Sequence, residues 1–385
     1  MAKILLDSKA FKHNLNAISN AIKSSTSHIS NASSTTNTKI PSLALVMKDN
    51  AYGHGLLQIA SLAKDNGIDC VFVKNYAEAL QVRDFFPHIT ALYGGVPFGA
   101  PSNIYASIAS LECLKQLQKD AQTYQNPNLP LGIELKCNIG MNRNGIQTEE
   151  LNESFKILAR LIAQNKVRLI GVFAHNGYGD NNGALEFYKS QATFCEIKQQ
   201  VANFCKEQKI AMPRFHSLST TGALQCALQT NVPYNFYPQG ESQLCDSIVR
   251  IGIGAYGYHT AEMPLDIALK PVASLWASKI STRNLKKGEK IGYGGATVVA
   301  KKSIFSTYDV GYGDGLFRLG RDMPKLHCAS GEEILPVMSM DCFSCNSDKE
   351  EICVFSDVSE FARVFNTIPY TILTHLSPFI PRVIV

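Results

Sequence analysis

Short apolar runs recur along the chain up to about residue 263, and stretches with helical spacing separate them. Leu43–Met47, Cys70–Val73, Thr90–Tyr93, Ile104–Ile108, Leu131–Lys136, Leu169–Ala174, Arg214–Leu218 and Ser247–Ile251 read as buried strands. Between most of them, apolar positions recur every three or four residues. That spacing predicts helices over His54–Asn66, Ala77–Phe86, Leu111–Tyr124, Thr148–Asn165, Ala184–Gln208 and Thr221–Leu228. Strand–helix alternation argues for parallel strands covered by helices. Eight strands within residues 43–251 fit a TIM-like (β/α)8 barrel better than an open sheet.

From about Pro264 the texture changes. Val272–Ile280, Lys290–Ala300, Ser303–Val310, Glu333–Met338 and Ile352–Phe355 read as strands, separated by Gly-containing and charged turns. Helical spacing returns only at Val358–Phe365. The chain is therefore expected to be α/β plus β, with a barrel domain over 1–263 and a mostly β domain over 264–385. Residues 24–38 are rich in Ser, Thr and Asn and are expected to form a flexible surface insertion.

Composition narrows the function classes. Apolar residues make up 45% of the 385 residues, enough for large cores. No stretch of 18 apolar residues occurs, so no membrane-spanning helix is expected. The start lacks a long apolar signal region, which points to a cytoplasmic protein. The net charge of +5 is dispersed, and no basic run alternates with aromatics, so nucleic-acid binding has little support. Eleven cysteines, an odd count, fit reduced buried thiols better than a disulfide framework. Cys342 and Cys345 form one CxxC, but no further ligands stand at zinc spacing, and two thiols on a strand is the simpler reading.

The segment Val46-Met47-Lys48-Asp49-Asn50-Ala51-Tyr52-Gly53-His54-Gly55 closes the first predicted strand. Lys48 then sits at the carboxyl end, where barrel enzymes gather their chemistry. Desolvation there favours the neutral amine that attacks carbonyls. A phenol, two glycines and an imidazole follow, and they can serve a phosphate. Other polar residues fall at the same end of other strands: Lys136 with Arg143, His175, His216 with Ser219 and Thr220, and Arg250 with Gly252 and Ile253. Singly, each has an ordinary structural reading as an ion-paired or satisfied side chain. Their shared location suggests a site. Arg250–Gly257 contains a formal GxGxxG, but no long helix follows, so it is not a dinucleotide fingerprint. Its glycines can still offer N–H groups to a phosphate.

In order and spacing these positions resemble the bacterial alanine racemase family over nearly the whole chain. The Lys48 segment is similar to its pyridoxal-phosphate lysine motif, and Lys136–Gly145 to its Lys-x-x-x-Gly-Met-x-Arg-x-Gly. Lys290–Gly294, Gly311–Gly315, Ser339-Met340-Asp341 and Thr367–Tyr370 resemble its later motifs. The resemblance implies a homodimer with shared sites, racemising alanine for peptidoglycan. Lys48 would hold pyridoxal 5'-phosphate and act as one catalytic base. Tyr293 of a partner subunit would be the second, provided its pKa is pulled below the value near 10 of a free tyrosine.

The resemblance also implies the remaining roles. His175 would stack on the cofactor ring, and Arg250 would bond its pyridine nitrogen. Arg143 would bond its phenolic oxygen, and Tyr52, Ser219, Thr220, Gly252, Ile253 and Tyr370 would also hold the cofactor. Tyr312 would narrow access, while Met340 and Asp341 would meet the substrate carboxylate. Lys136 would be carbamylated, and no metal is implied.

Departures stand at His216-Ser217-Leu218-Ser219-Thr220, where the family usually has His-x-x-Asn-Ser, at Asn176–Asp180, and at Thr371 in place of Glu. They leave open a racemase of another or broader substrate range, such as serine. A decarboxylase on the same architecture and a non-catalytic cofactor-binding protein are further alternatives.

Overall fold

The computed structural model of the chain describes residues 1–30, 40–125, 129–181, 183–228, 244–262 and 264–385. Eight parallel strands form the barrel: β2 (Ser42–Val46), β3 (Cys70–Val73), β4 (His88–Ala91), β5 (Ile104–Ile108), β6 (Leu131–Lys136), β7 (Val167–Phe173), β8 (Arg214–His216) and β9 (Ile248–Ile251). Their order is β8-β7-β6-β5-β4-β3-β2-β9. The first and last barrel strands meet through Leu43↔Val249 and Leu45↔Ile251. The ring closes between β8 and β9 through the Ser247 N–H donating to the Phe215 carbonyl at 2.9 Å. Helices cover the outside as their apolar spacing requires. Leu111–Thr123 buries Leu111, Leu114, Leu117 and Ala121 on one stripe, and the Ser110 hydroxyl accepts the Cys113 N–H at its start.

The second domain is built on a six-stranded sheet. It contains β10 (Ala273–Leu285), β13 (Ser303–Tyr308), β16 (Phe343–Cys345), β17 (Glu351–Phe355) and β18 (Arg382–Ile384). Its remaining member is β1 (Lys3–Leu6), from the opposite end of the chain. That strand pairs antiparallel with β10 and parallel with β18, burying Ile4 and Leu6 completely. Sequence reading assigned no strand there, because a four-residue strand owes its existence to partners more than 260 residues away. The expected strand over Lys290–Ala300 is instead a hairpin of β11 (Lys290–Ile291) and β12 (Thr297–Val298), with Tyr293 on its turn. Glu333–Met338 shortens to β15 (Glu333–Ile334), paired with β14 (Leu326–His327).

The first helix runs over Ser8–Ser30, so the start of the expected 24–38 insertion is helical; its remainder, 31–38, lies outside the described residues. Cys345 lies buried on β16, with Cys342 half-buried just before it. All eleven cysteines are free thiols. Among the described residues no helix is long and apolar enough to cross a membrane.

Candidate active site

Lys48 opens a turn of unusual backbone. Asp49, Asn50, Ala51 and Tyr52 all have φ between 51° and 55°, a left-handed run without glycine. Each such residue costs about 1–2 kcal/mol, so the surroundings must enforce the turn. They do so in several ways. Glu78 accepts the Asn50 N–H at 3.0 Å, the Asn50 amide oxygen accepts the Leu56 N–H at 2.8 Å, and Lys74 pairs with Asp49 at 2.6 Å. Arg382 on β18 donates to the Gly53 carbonyl at 2.9 Å. The C-terminal helix Pro369–His375 packs so closely that a Cβ at Gly53 would lie 1.9 Å from the Leu373 carbonyl oxygen. The second domain's last segment thus clamps the lysine turn, and the same packing puts Tyr370 beside Tyr52, ring centroids 5.7 Å apart.

Above the barrel lies a cleft of about 380 Å³. Lys48, Lys136, Arg143 and Arg250 line it with His175, Tyr52 and Tyr370. Ser219, Thr220, Gly252 and Ile253 form its far end. No side chain fits at Gly252, where a Cβ would sit 2.6 Å from the Tyr52 hydroxyl. The cationic crowd sets the electrostatics. Burial lowers the Lys48 amine below its ordinary pKa, with Arg143 and Lys74 adding to the effect against Asp49. Lys136 falls to about 8 through burial and the charges of Arg143, Arg250 and Lys48, and its ammonium bonds Asn144. Burial raises the Tyr52 and Tyr370 phenols well above 10, so both remain donors.

Arg250 is fixed from below. Its guanidinium donates to the Ala174 carbonyl at 2.7 Å and to the His216 ring nitrogen Nδ1. Burial lowers its pKa to about 10, which leaves it charged at neutral pH. Sequence reading placed His216 among the polar residues at strand ends, but it gave no role to Glu134 behind it. The available signal was a glutamate in the middle of the buried run Leu131–Lys136. It also passed over Thr260 and Asp180, which join the cleft wall through a 2.6 Å hydroxyl–carboxylate bond.

Tyr293, Tyr312, Met340 and Asp341 do not line this cleft. They sit on the second domain, with Tyr293 63% and Met340 54% exposed. Each of their turns is fixed by backbone contacts within the second domain. Gly292 abuts the Pro336 carbonyl, and the Gly313 N–H donates to the Met340 carbonyl at 2.8 Å.

The alanine racemase N-terminal domain profile matches residues 6–260, and the alanine racemase C-terminal domain profile matches 272–384. The chain belongs to the alanine racemase family. An alanine racemase of a Nitratiruptor species is 33% identical over 383 residues, covering 99% of each chain. Among solved structures, an alanine racemase of Clostridium difficile 630 matches with a TM-score of 0.77 at 22% identity. That match covers 100% of this chain and 95% of the other. An alanine racemase of Bartonella henselae with covalently bound pyridoxal phosphate matches with a TM-score of 0.72 at 21% identity, over 100% and 99% of the two chains. Within the family fold, the barrel carries the lysine turn and the second domain closes over it.

Two buried imidazoles and the half-buried His175 give this racemase fold a pH signature. Burial lowers His54 and His216 to about 4, and burial with the cleft's cations lowers His175 to about 3. Each is neutral when folded and titrates near 6.5 when unfolded. Below about pH 6.5 the unfolded chain therefore binds more protons, and stability falls as pH drops toward about 4. The denaturant midpoint is expected to be lower at about pH 5 than at about pH 7.5. A midpoint that holds or rises on acidification would contradict neutral imidazoles at these three positions.

Proposed function

We propose that this enzyme interconverts L- and D-alanine with pyridoxal 5'-phosphate held on Lys48. The observation that carries this reading is Arg250, a buried arginine fixed by the His216 ring and the Ala174 carbonyl at the cleft floor. An arginine only donates, so a pyridine nitrogen bonded to it stays unprotonated. That weakens the electron sink and favours simple proton exchange over decarboxylation. The cleft suits the cofactor in other ways. It offers an amine of lowered pKa, the neutral His175 ring to stack, and a wall of hydroxyls and tight glycine at the phosphate end.

The bound cofactor supplies electron withdrawal from the substrate Cα carbon. The protein's share is binding and proton transfer. Lys48 takes or returns the proton on one face, and Tyr293 of a partner subunit does so on the other. The site is then shared across a homodimer. Arg143 bonds the phenolic oxygen, and Ser219, Thr220, Gly252, Ile253, Tyr52 and Tyr370 hold the phosphate end. The Met340 N–H, beside Asp341, binds the substrate carboxylate, while Tyr312 narrows access. D-alanine made this way serves peptidoglycan, and free thiols throughout fit a cytoplasmic setting.

Lys136 sits among three other cations, and at about pH 8 roughly half of its amines are neutral. The neutral amine adds carbon dioxide through a new N–C bond and releases one proton to solvent, which leaves an anionic carbamate beside Arg143. In 13C-bicarbonate buffer we expect a carbamate carbon signal that Lys136→Arg lacks and that grows as pH rises through about 8. A spectrum the same in both proteins would rule the modification out.

A second reading is a broader racemase. Ser219 and Asn176 stand where relatives differ, so serine is a reasonable further substrate. The test of the main reading is incubation with pyridoxal phosphate and L-alanine in D2O. Loss of optical rotation with deuterium entering Cα supports it. Unchanged alanine, with serine or lysine racemised instead, would reassign the substrate, and carbon dioxide release would reassign the reaction.

A further inference from the structure

Barrel interiors are ordinarily filled by branched apolar side chains. Here a file of charged and polar groups runs through the middle: Arg214 on β8, Glu134 on β6, His216 on β8 and Arg250 on β9. Glu134 and His216 are completely buried. One Glu134 oxygen accepts from the Thr90 hydroxyl at 2.6 Å and from Arg214. The other lies 2.7 Å from His216 Nε2. His216 Nδ1 meets the Arg250 guanidinium.

Proton positions follow from what each group can do. Arginine only donates, so His216 Nδ1 is the acceptor and the ring proton sits on Nε2. That proton needs an acceptor. Phe72 and Phe173 flank the ring at 5.2 and 5.0 Å and offer none, which leaves Glu134. We infer that Glu134 is a positioning residue. By accepting from His216 it keeps Nδ1 open to Arg250, and so holds the arginine where it meets the cofactor's ring nitrogen. This rests on the reading of Arg250 given above.

A glutamine at this position faces a conflict. Its oxygen can serve Arg214 or His216, while its NH2 group confronts the other donor. With Arg214 in place, the amide oxygen goes to the cation, and His216 must accept at Nε2. The ring proton then moves to Nδ1, against the Arg250 N–H. Removing Arg214 frees the amide oxygen for His216.

The test compares Glu134→Gln, Glu134→Gln/Arg214→Met and Glu134→Leu/Arg214→Met in the holoenzyme. One readout is the His216 tautomer from long-range 15N–1H spectra of histidine-labelled protein, assigned by signal loss in His216→Asn. The other is kcat for racemisation. Wild type is expected to show Nε2–H. Glu134→Gln is expected to shift toward Nδ1–H and lose about ten- to a hundredfold in kcat, as when outer partners of metal-binding histidines are removed. Glu134→Gln/Arg214→Met should regain the Nε2–H form and most of the rate.

If the single variant does not fold, the two double variants decide. They carry the same charge, and only the glutamine supplies an acceptor, so the leucine variant alone should lose the tautomer and the rate. Equal tautomers and rates in the two would overturn the inference. So would an unshifted tautomer in Glu134→Gln. If wild type racemises no amino acid, the reading of Arg250 fails, and the tautomer comparison alone supports or overturns the coupling.

Discussion

Replacing Lys48 by alanine is expected to abolish racemisation, with kcat falling by at least about four orders of magnitude. Two losses combine. On the proposed assignment the chain gives up the amine that holds the cofactor, and one face of the substrate Cα carbon loses its proton carrier. No neighbour can substitute. Lys136 is engaged with Asn144 and lies across the cleft on a different strand. Lys74 is tied to Asp49 on the outside of the turn. The lysine turn is held by Glu78, Arg382 and the helix Pro369–His375 rather than by Lys48 itself, so the variant should fold normally. Polarimetry and Cα deuterium incorporation check it. A Lys48→Ala enzyme within tenfold of wild type would sink the assignment.

Tyr293→Phe is expected to keep the cofactor bound and lose about a hundred- to ten-thousandfold in turnover, the range for one general acid–base group. Tyr293 lies on the exposed turn of the β11–β12 hairpin and outside the cleft of its own chain. On the proposed reading its working partner is the Lys48 of a second copy, which brings the two together. Mixing subunits tests this directly. A heterodimer of Lys48→Ala and Tyr293→Phe chains would have one doubly defective site and one intact site. Co-refolding two nearly inactive proteins should then restore about a quarter of wild-type activity, because about half of the dimers are mixed and each has one good site. No recovery on mixing would place the second base within the same chain, or on a different residue.

The barrel was legible because each strand is a short apolar run and each helix keeps one apolar stripe, both local signals. The cleft residues were legible for a related reason: polar groups at the ends of buried strands are conspicuous. Glu134 was harder, since a lone charge inside an apolar run gives no hint of which partners neutralise it. The second domain's short strands were blurred, because hairpins such as Lys290–Val298 are set by turn geometry and by packing on Pro336.

By itself, the sequence determined the fold class, the place of Lys48 at a strand end and the set of polar groups at the carboxyl ends of the strands. All are encoded by residue type and spacing within a few dozen residues. Only the tertiary structure decided that β1 completes the second sheet, and that Arg382 and the helix Pro369–His375 clamp the Lys48 turn. The buried file from Arg214 to Arg250 likewise appears only in the folded barrel. These contacts join residues far apart in the chain, and closing such loops yields no local pattern, only burial and hydrogen bonds that exist once both ends have met.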